Sequence, residues 1–337
     1  MKRQLSTIVA LYNKEQYIRQ CIDSIYDQGL DEDEFEVIIV DDGSTDGGGA
    51  VADSIAALHG NMRVVHQANK GLGEARNAGL SIATGKYLHF IDADDFLLAG
   101  SYRHIVDNLI PQNTDIMVFD NVHDATCGDA MIPGHVKYVG DIRQYIESNY
   151  MRVNVWIKLF KRSFMETNDL KWPAINFNED TAITWNALRH DGTLLVSSDK
   201  IYSYRSNPLG IVRTRDVEHI KVTVNDLIAV NQLLKGYAPA LAGCDPVMSN
   251  FTQKYTMLFN RILCTPYSFK EIKEVFARCA AIGITHLHRS KSIKIYNLLY
   301  NHPILYYVFQ WFIRTVYFAR FKVDDSSTDF INRKLSN

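Results

Sequence analysis

Four short apolar runs, at residues 5–11, 35–40, 62–66 and 87–91, alternate with segments of helical periodicity in the first hundred residues. Between the first two runs, Ile18, Cys21, Ile22 and Ile25 recur at helical spacing, and the pattern stops near Gly29. Helical segments also run through Val51, Ile55 and Leu58, over 75–83 and over 98–110, with a further strand at 115–119. The run at 35–40 is almost wholly apolar, as expected of a strand covered on both faces. This alternation predicts an α/β fold with a mainly parallel central sheet flanked by helices. Such sheets bind ligands outside the carboxyl ends of their strands. The polar turns after Leu11, Val40 and Ile91 all fall on that rim.

With 337 residues, 47% hydrophobic and 22% charged, the chain can bury a sizeable core on the scale of two domains. Lys+Arg 36 against Asp+Glu 38 gives a net charge of −2, which argues against nucleic acid as a partner. The five cysteines are widely spaced, without a CxxC pair or zinc spacing, and read as reduced thiols of a cytosolic compartment. Lys2 and Arg3 precede an apolar run that lacks a small-residue cleavage site, so it reads as a first strand rather than a signal peptide. From 120 to 215 the alternation weakens, and from 217 onward Val224, Leu227, Ile228 and Leu233 mark a helical region. The expected divisions are 1–115, 116–215, a helical extension at 216–325 and a polar tail at 326–337.

Asp92-Ala93-Asp94-Asp95 places three carboxylates in four residues at a strand end. Like charges this close need a cation or hydrogen-bond donors to remain ionised together. A divalent cation that also bridges phosphate oxygens is one solution; a solvated acidic turn capping the next helix is the other. Asp41-Asp42 follows a second strand, where Asp42 can either accept bonds from a nucleoside or close a turn with Gly43. Residues 69–79 carry Gly71, Gly73, Arg76 and Asn77 into a helix without completing a dinucleotide fingerprint or a Walker A sequence. Glu179-Asp180 opens a later helix, either as simple capping charge or with Asp180 as a general base.

These blocks together resemble family 2 glycosyltransferases: Leu11-Tyr12-Asn13-Lys14-Glu15, Val40-Asp41-Asp42-Gly43-Ser44, Asn69 to Gly79, and Phe90-Ile91-Asp92-Ala93-Asp94-Asp95. The resemblance covers roughly residues 5 to 205 and implies a GT-A fold, a nucleotide-sugar-binding half joined to an acceptor-binding half. It implies that Tyr12, Glu15 and Asp42 bind the nucleoside and that Arg76 lies on the donor side. Asp92 then contacts the ribose, Asp94 holds Mg²⁺ or Mn²⁺, and Asp180 acts as base. Trp156, Lys158 and Leu159 resemble the segment preceding the Glu-Asp element. Tyr204-Arg205 resembles a late pair near the donor diphosphate. Two departures stand out: Ala10 replaces a frequent proline, which predicts a less rigid first loop, and Gly47-Gly48-Gly49 predicts a late or frayed helix start.

The implied activity is metal-dependent inverting transfer of a hexosyl group from a nucleotide-diphosphate sugar, with UDP as the expected nucleotide, to a saccharide hydroxyl. Asp180 would deprotonate the acceptor while the cation held by Asp94, assisted by Lys158 or Arg205, stabilises the departing diphosphate. A single displacement needs no leaving-group acid, unlike the paired carboxylates of most glycosidases. Asp95-Phe96 lacks the residues of a phosphatase Asp-x-Asp element, and a dehydrogenase reading lacks its glycines. An inactive sugar-binding or scaffold subunit of a polysaccharide assembly complex is the alternative.

From 286 to 322 six basic residues (Arg289, Lys291, Lys294, Arg314, Arg320, Lys322) occur without an acidic one, and 295–313 carries no formal charge. Pro303 interrupts this stretch, and the aromatic-rich segment 304–321 reads as a helix lying on an anionic membrane surface, ahead of a core helix, a contact in a homodimer or a true span. With the resemblance, this points to a peripheral enzyme at the cytoplasmic face of a bacterial inner membrane, with soluble cytoplasmic protein as second choice. The expected acceptor is a saccharide on polyprenyl diphosphate, in O-antigen or capsule synthesis.

Overall fold

The computed structural model describes residues 3–206, 217–247 and 267–282, with 249, 250, 253, 254, 258, 302, 305, 307 and 308 as isolated positions. The chain divides into two compact units, Met1–Asn207 and Pro208–Asn337. The first begins with β1 (Leu5–Leu11), α1 (Glu15–Tyr26), β2 (Phe35–Asp41), α2 (Gly48–Ala56), β3 (Met62–His66), α3 (Leu72–Ile82) and β4 (Tyr87–Asp92). It continues with β5 (Phe96–Leu97), α4 (Ser101–His104), β6 (Ile116–His123), β7 (Val136–Asp141), α5 (Ile142–Ile146), β8 (Lys158–Lys161), α6 (Arg162–Thr167), α7 (Glu179–Leu188) and β9 (Thr193–Tyr204).

The nine strands form one sheet in the order β3-β2-β1-β4-β8-β6-β9-β5, with β7 paired to β9. All pairings among β1 to β4 are parallel, while β8 runs antiparallel to both β4 and β6. All seven residues of β1 and of β2 are buried, as a strand covered on both faces requires. Register explains why the acidic turns converge. Leu11 lies opposite Asp41, and Ala10 opposite Asp92, so the carboxyl ends of β1, β2 and β4 are level. The β4–β8 pairing, with His89 opposite Leu159, then carries the segment before β8 to the same end.

Two local expectations are corrected. The glycine run does not delay α2, which begins at Gly48 with Gly48 and Gly49 buried in its first turn. A Cβ at Gly47 would lie 2.5 Å from Glu15 Oε1, and one at Gly49 2.6 Å from Asp41 Oδ2. The glycines therefore admit two carboxylates against the helix start, and that close approach offsets their poor helix propensity. The first loop is also well fixed without a proline. Asn13 Oδ1 accepts from Thr45 N at 2.7 Å, Glu15 N donates to Asp46 Oδ2 at 2.9 Å, and Gly47 N donates to Glu15 Oε2 at 3.0 Å.

Behind the rim, His89 is fully buried. Its Nε2 is 2.8 Å from the Trp156 carbonyl, and its Nδ1 is 2.9 Å from the Tyr102 hydroxyl, itself 2.8 Å from Thr7 Oγ1. A carbonyl only accepts, so Nε2 carries the proton, Tyr102 donates to Nδ1, and Thr7 donates to Tyr102. Burial pushes the imidazole down to about 4 from its ordinary 6.5. Between those values the unfolded chain takes a proton that the folded chain refuses, so stability rises with pH and is lost on acidification. Urea titrations at pH 7.5 and 4.5 should show wild type losing about 2–3 kcal/mol more than His89→Gln over that interval. Equal losses would remove this account of His89.

In the second unit, α8 (Val217–Tyr237) and α9 (Phe269–Ala281) are joined by Lys221–Glu271 at 3.0 Å and Arg278–Asn225 at 2.7 Å. Val224, Leu227 and Ile228 are buried as expected, but Leu234 rather than Leu233 completes the buried stripe. Ser268 and Glu271 form a capping box at the start of α9. Among the described residues no helix is long and apolar enough to cross a membrane. Apart from Leu305, Tyr307 and Val308, which are exposed, the aromatic segment 304–321, the six basic residues of 286–322 and the tail 326–337 lie outside the described residues.

Candidate active site

Three loops meet at the level carboxyl ends of β1, β2 and β4. The first two, 12–14 and 42–47, are cross-braced by the Asn13, Glu15 and Asp46 bonds described above, with Tyr12 46% exposed at the lip. Asn13 adopts a left-handed backbone (φ 51°), which turns the chain sharply into α1. Asp42 is buried, and its carboxylate accepts from Gln67 Nε2 at 2.7 Å, Lys70 N at 2.8 Å and Gly71 N at 2.8 Å. It therefore draws the 67–71 loop over the end of β2. Asp41, opposed by burial but held ionised by Ser44 and His66, sits below the ordinary carboxylate range.

The centre of the site is Arg76 on α3, whose side chain is 2% exposed. Its Nη2 donates to Asp92 Oδ1 at 2.8 Å, and its Nη1 donates to Glu179 Oε1 at 2.8 Å and Asp180 Oδ1 at 2.9 Å. One guanidinium thus joins the end of β4 to the start of α7. The indole of Trp172 lies beside it, with the ring centre 5.9 Å from the guanidinium carbon. The surrounding carboxylates keep Arg76 protonated despite burial. Burial, then Asp180, raises Glu179; burial also raises Asp92. The second oxygen of Asp180 accepts from Val155 N at 3.1 Å, so both of its oxygens are oriented while lone pairs remain for another partner.

Asp94 and Asp95 are placed differently. Asp94 Oδ2 accepts from Lys14 Nζ at 2.6 Å, and the two side chains are 18% and 24% exposed. Asp95 points inward, accepting from the Tyr202 hydroxyl at 2.8 Å and from Arg205 N at 2.7 Å; burial and then Asp92 push it up to about 8. Arg205 donates through Nε to the Asp94 carbonyl at 2.8 Å and through Nη2 to Gln20. Its guanidinium carbon lies 5.0 Å from the Tyr17 ring centre and 5.5 Å from that of Phe96.

Lys158 is buried, and its ammonium donates to the carbonyls of Arg152 and Asn154, each at 2.6 Å. Burial pushes it down to about 7. The ammonium curls the 152–155 segment and so presents Val155 N to Asp180. Trp156 stacks on Tyr202 and Tyr204, at 4.7 and 5.6 Å between ring centres. On the opposite side, Gly71 takes φ 93°, and a Cβ there would meet Asn176 Oδ1 at 1.9 Å. Glycine is required where the 172–176 segment covers the start of α3.

The structure brings Arg76, Asp92 and Asp180 into one bonded group; Lys158 braces the 152–155 segment that reaches Asp180, Asp94 lies on the turn after Asp92, and Arg205, after β9, donates to the Asp94 carbonyl. Tyr12, Glu15 and Asp42 form a neighbouring cluster at the ends of β1 and β2. The sequence alone does not assign Lys14, Asp95 or Glu179 to the site. A lysine one loop away from three acidic residues was the signal available for Lys14; nothing local distinguished the partners of Asp95 and Glu179. Among the described residues no group of three or more His, Cys, Asp or Glu side chains is arranged to hold a metal alone. Asp92 and Asp94 offer only carboxylate oxygens, a donor set that fits Mg²⁺ or Mn²⁺ when phosphate oxygens complete the shell.

Comparison with known proteins agrees with this architecture. The family model described as Glycosyl transferase family 2 matches residues 6–168. The uncharacterized glycosyltransferase EpsJ of Bacillus subtilis is 29% identical over 214 residues, 60% of this chain and 61% of that protein. The putative glycosyltransferase EpsH of the same organism is 30% identical over 218 residues, 62% of each chain. The matched regions thus span 61% and 62% of the length of these two relatives. The crystal structure of S. aureus TarS 1-349 superposes with a TM-score of 0.53 at 18% identity, covering 86% of this chain and 94% of that one. Its complex with UDP-GlcNAc gives 0.54 at 18% identity, with 88% and 92% covered. At this identity the likeness establishes a shared GT-A-like fold.

Proposed function

We propose that this chain, whose residues 6–168 match the Glycosyl transferase family 2 model, transfers a hexosyl group from a UDP-linked sugar to a saccharide hydroxyl with inversion at the anomeric carbon. The observation that carries this reading is the attachment of Asp92 and Asp180 to one guanidinium, at 2.8 and 2.9 Å. A carboxylate of the donor-side acidic turn and a carboxylate from the later half of the fold are thereby held at one place, as a single displacement demands.

In the proposed reaction Asp180 accepts the proton of the acceptor hydroxyl. The acceptor oxygen bonds to the anomeric carbon as the bond from that carbon to the diphosphate oxygen breaks, and UDP departs with the bonding pair. Asp92 and Asp94 would hold a divalent cation, which supplies charge neutralisation for the departing diphosphate. Asp42, Glu15 and Tyr12 line the nucleoside side of the rim. Arg76 and Lys158 are assigned to orienting Asp180, because the bonds described for them go to protein carboxylates and carbonyls. Arg205 is assigned to shaping the Asp94 turn, through its bond to the Asp94 carbonyl.

The acceptor is proposed to be a growing surface polysaccharide on polyprenyl diphosphate, of the O-antigen or capsule kind, reached at an anionic membrane surface. The exposure of Leu305, Tyr307 and Val308 supports such a contact. The names of two matched relatives, a poly(ribitol-phosphate) beta-glucosyltransferase of Bacillus spizizenii and a poly(ribitol-phosphate) beta-N-acetylglucosaminyltransferase of Staphylococcus aureus, also support a surface polymer. The test is a panel of UDP- and GDP-sugars with Mn²⁺ or Mg²⁺ and membrane-extract acceptors, read as nucleotide release and product linkage by NMR. Acceptor-dependent UDP release with an inverted linkage is expected. A retained configuration would eliminate the single displacement.

A further inference from the structure

We propose that Lys14 is a resident counter-cation of Asp94 which makes divalent-cation binding conditional on the donor's diphosphate; this rests on the donor and cation reading above. The Lys14 ammonium lies 2.6 Å from Asp94 Oδ2, on the carboxylate assigned to the cation. Arg76 also donates to Asp92, so each carboxylate of the Asp92–Asp94 tip faces a positive side chain.

Both ends of the pair are anchored by backbone. The Lys14 carbonyl accepts from Tyr17 N at 2.9 Å and Ile18 N at 3.0 Å, and the preceding Asn13 is bonded to Thr45. The Asp94 carbonyl is held by Arg205 Nε at 2.8 Å. The flexible part is the four-carbon stem that carries the ammonium. A divalent cation held by Asp94 would repel an ammonium at hydrogen-bond distance from that carboxylate, so its binding would require Lys14 to swing away. The displaced ammonium would need an anion nearby, and the donor's diphosphate would supply one. Cation and donor therefore favour each other reciprocally, with Lys14 as the exchange group.

The experiment is Mn²⁺ titration of the full chain by electron paramagnetic resonance of free Mn²⁺, with and without UDP, for wild type, Lys14→Met and Lys14→Arg. In wild type UDP should tighten Mn²⁺ binding by about tenfold or more. Lys14→Met should bind Mn²⁺ about tenfold tighter than wild type without UDP and lose most of the UDP enhancement. Lys14→Arg, which keeps the charge, should restore weak binding alone. Equal Mn²⁺ affinity of wild type and Lys14→Met without UDP overturns the Lys14 proposal and leaves the donor reading standing. Absence of Mn²⁺ binding in every chain even with UDP overturns both.

Discussion

Asp180→Asn should reduce sugar transfer by about 10²–10⁴-fold while donor binding stays within about twofold of wild type. The amide cannot take the acceptor's proton, yet it keeps the shape of the carboxylate between Arg76 and Val155. Its donor and acceptor ends bring a separate cost. Arg76 Nη1 and Val155 N each give a hydrogen to one oxygen of Asp180, at 2.9 and 3.1 Å, so the NH₂ must face one of those donors. That conflict should lower folding stability by about 1–3 kcal/mol. Single-turnover transfer, UDP calorimetry and urea unfolding separate these quantities. Transfer at the wild-type rate would remove Asp180 as base, and loss of UDP binding by the same factor as transfer would make it a donor residue instead.

Arg76→Met should destabilise the fold by about 3–5 kcal/mol, the usual consequence of removing one partner from a buried ionic group. Three carboxylates from two distant parts of the chain, Asp92, Glu179 and Asp180, would lose the guanidinium they share. Glu179 and Asp92, which burial already raises, would then take up protons still more readily in the folded chain, so their folded values would lie further above the unfolded ones. Stability contributed by such groups is lost as pH rises, so the deficit of Arg76→Met should be larger at pH 8 than at pH 5. Adding Glu179→Gln to Arg76→Met should recover part of the loss, and urea unfolding at the two pH values measures both effects. A deficit below about 1 kcal/mol would show that the carboxylates are satisfied without Arg76.

The sheet was legible because its strands are short, apolar and bounded by polar turns, and because a parallel sheet forces those turns to one rim. The identities of the acidic residues at that rim were legible for the same reason. Charge pairing was not. Arg76 bonds residues 16, 103 and 104 positions away, which no local pattern encodes, and as a lone arginine entering a helix it reads equally as a ligand contact. Lys158 illustrates the same gap: its charge suggested phosphate, while burial turns its ammonium to two backbone carbonyls. The glycine run misled because propensity is counted along the helix, whereas the advantage of Gly47 and Gly49 comes from the side chains of Glu15 and Asp41.

The lacing of residues 12–15 to residues 44–47 has a consequence for engineering. Asn13, Glu15, Asp46 and Gly47 each complete a bond begun on the other loop. On the donor reading proposed above, altering nucleotide preference by transplanting either loop alone would leave donors and acceptors stranded on the one left behind, so the two have to travel as a single cassette.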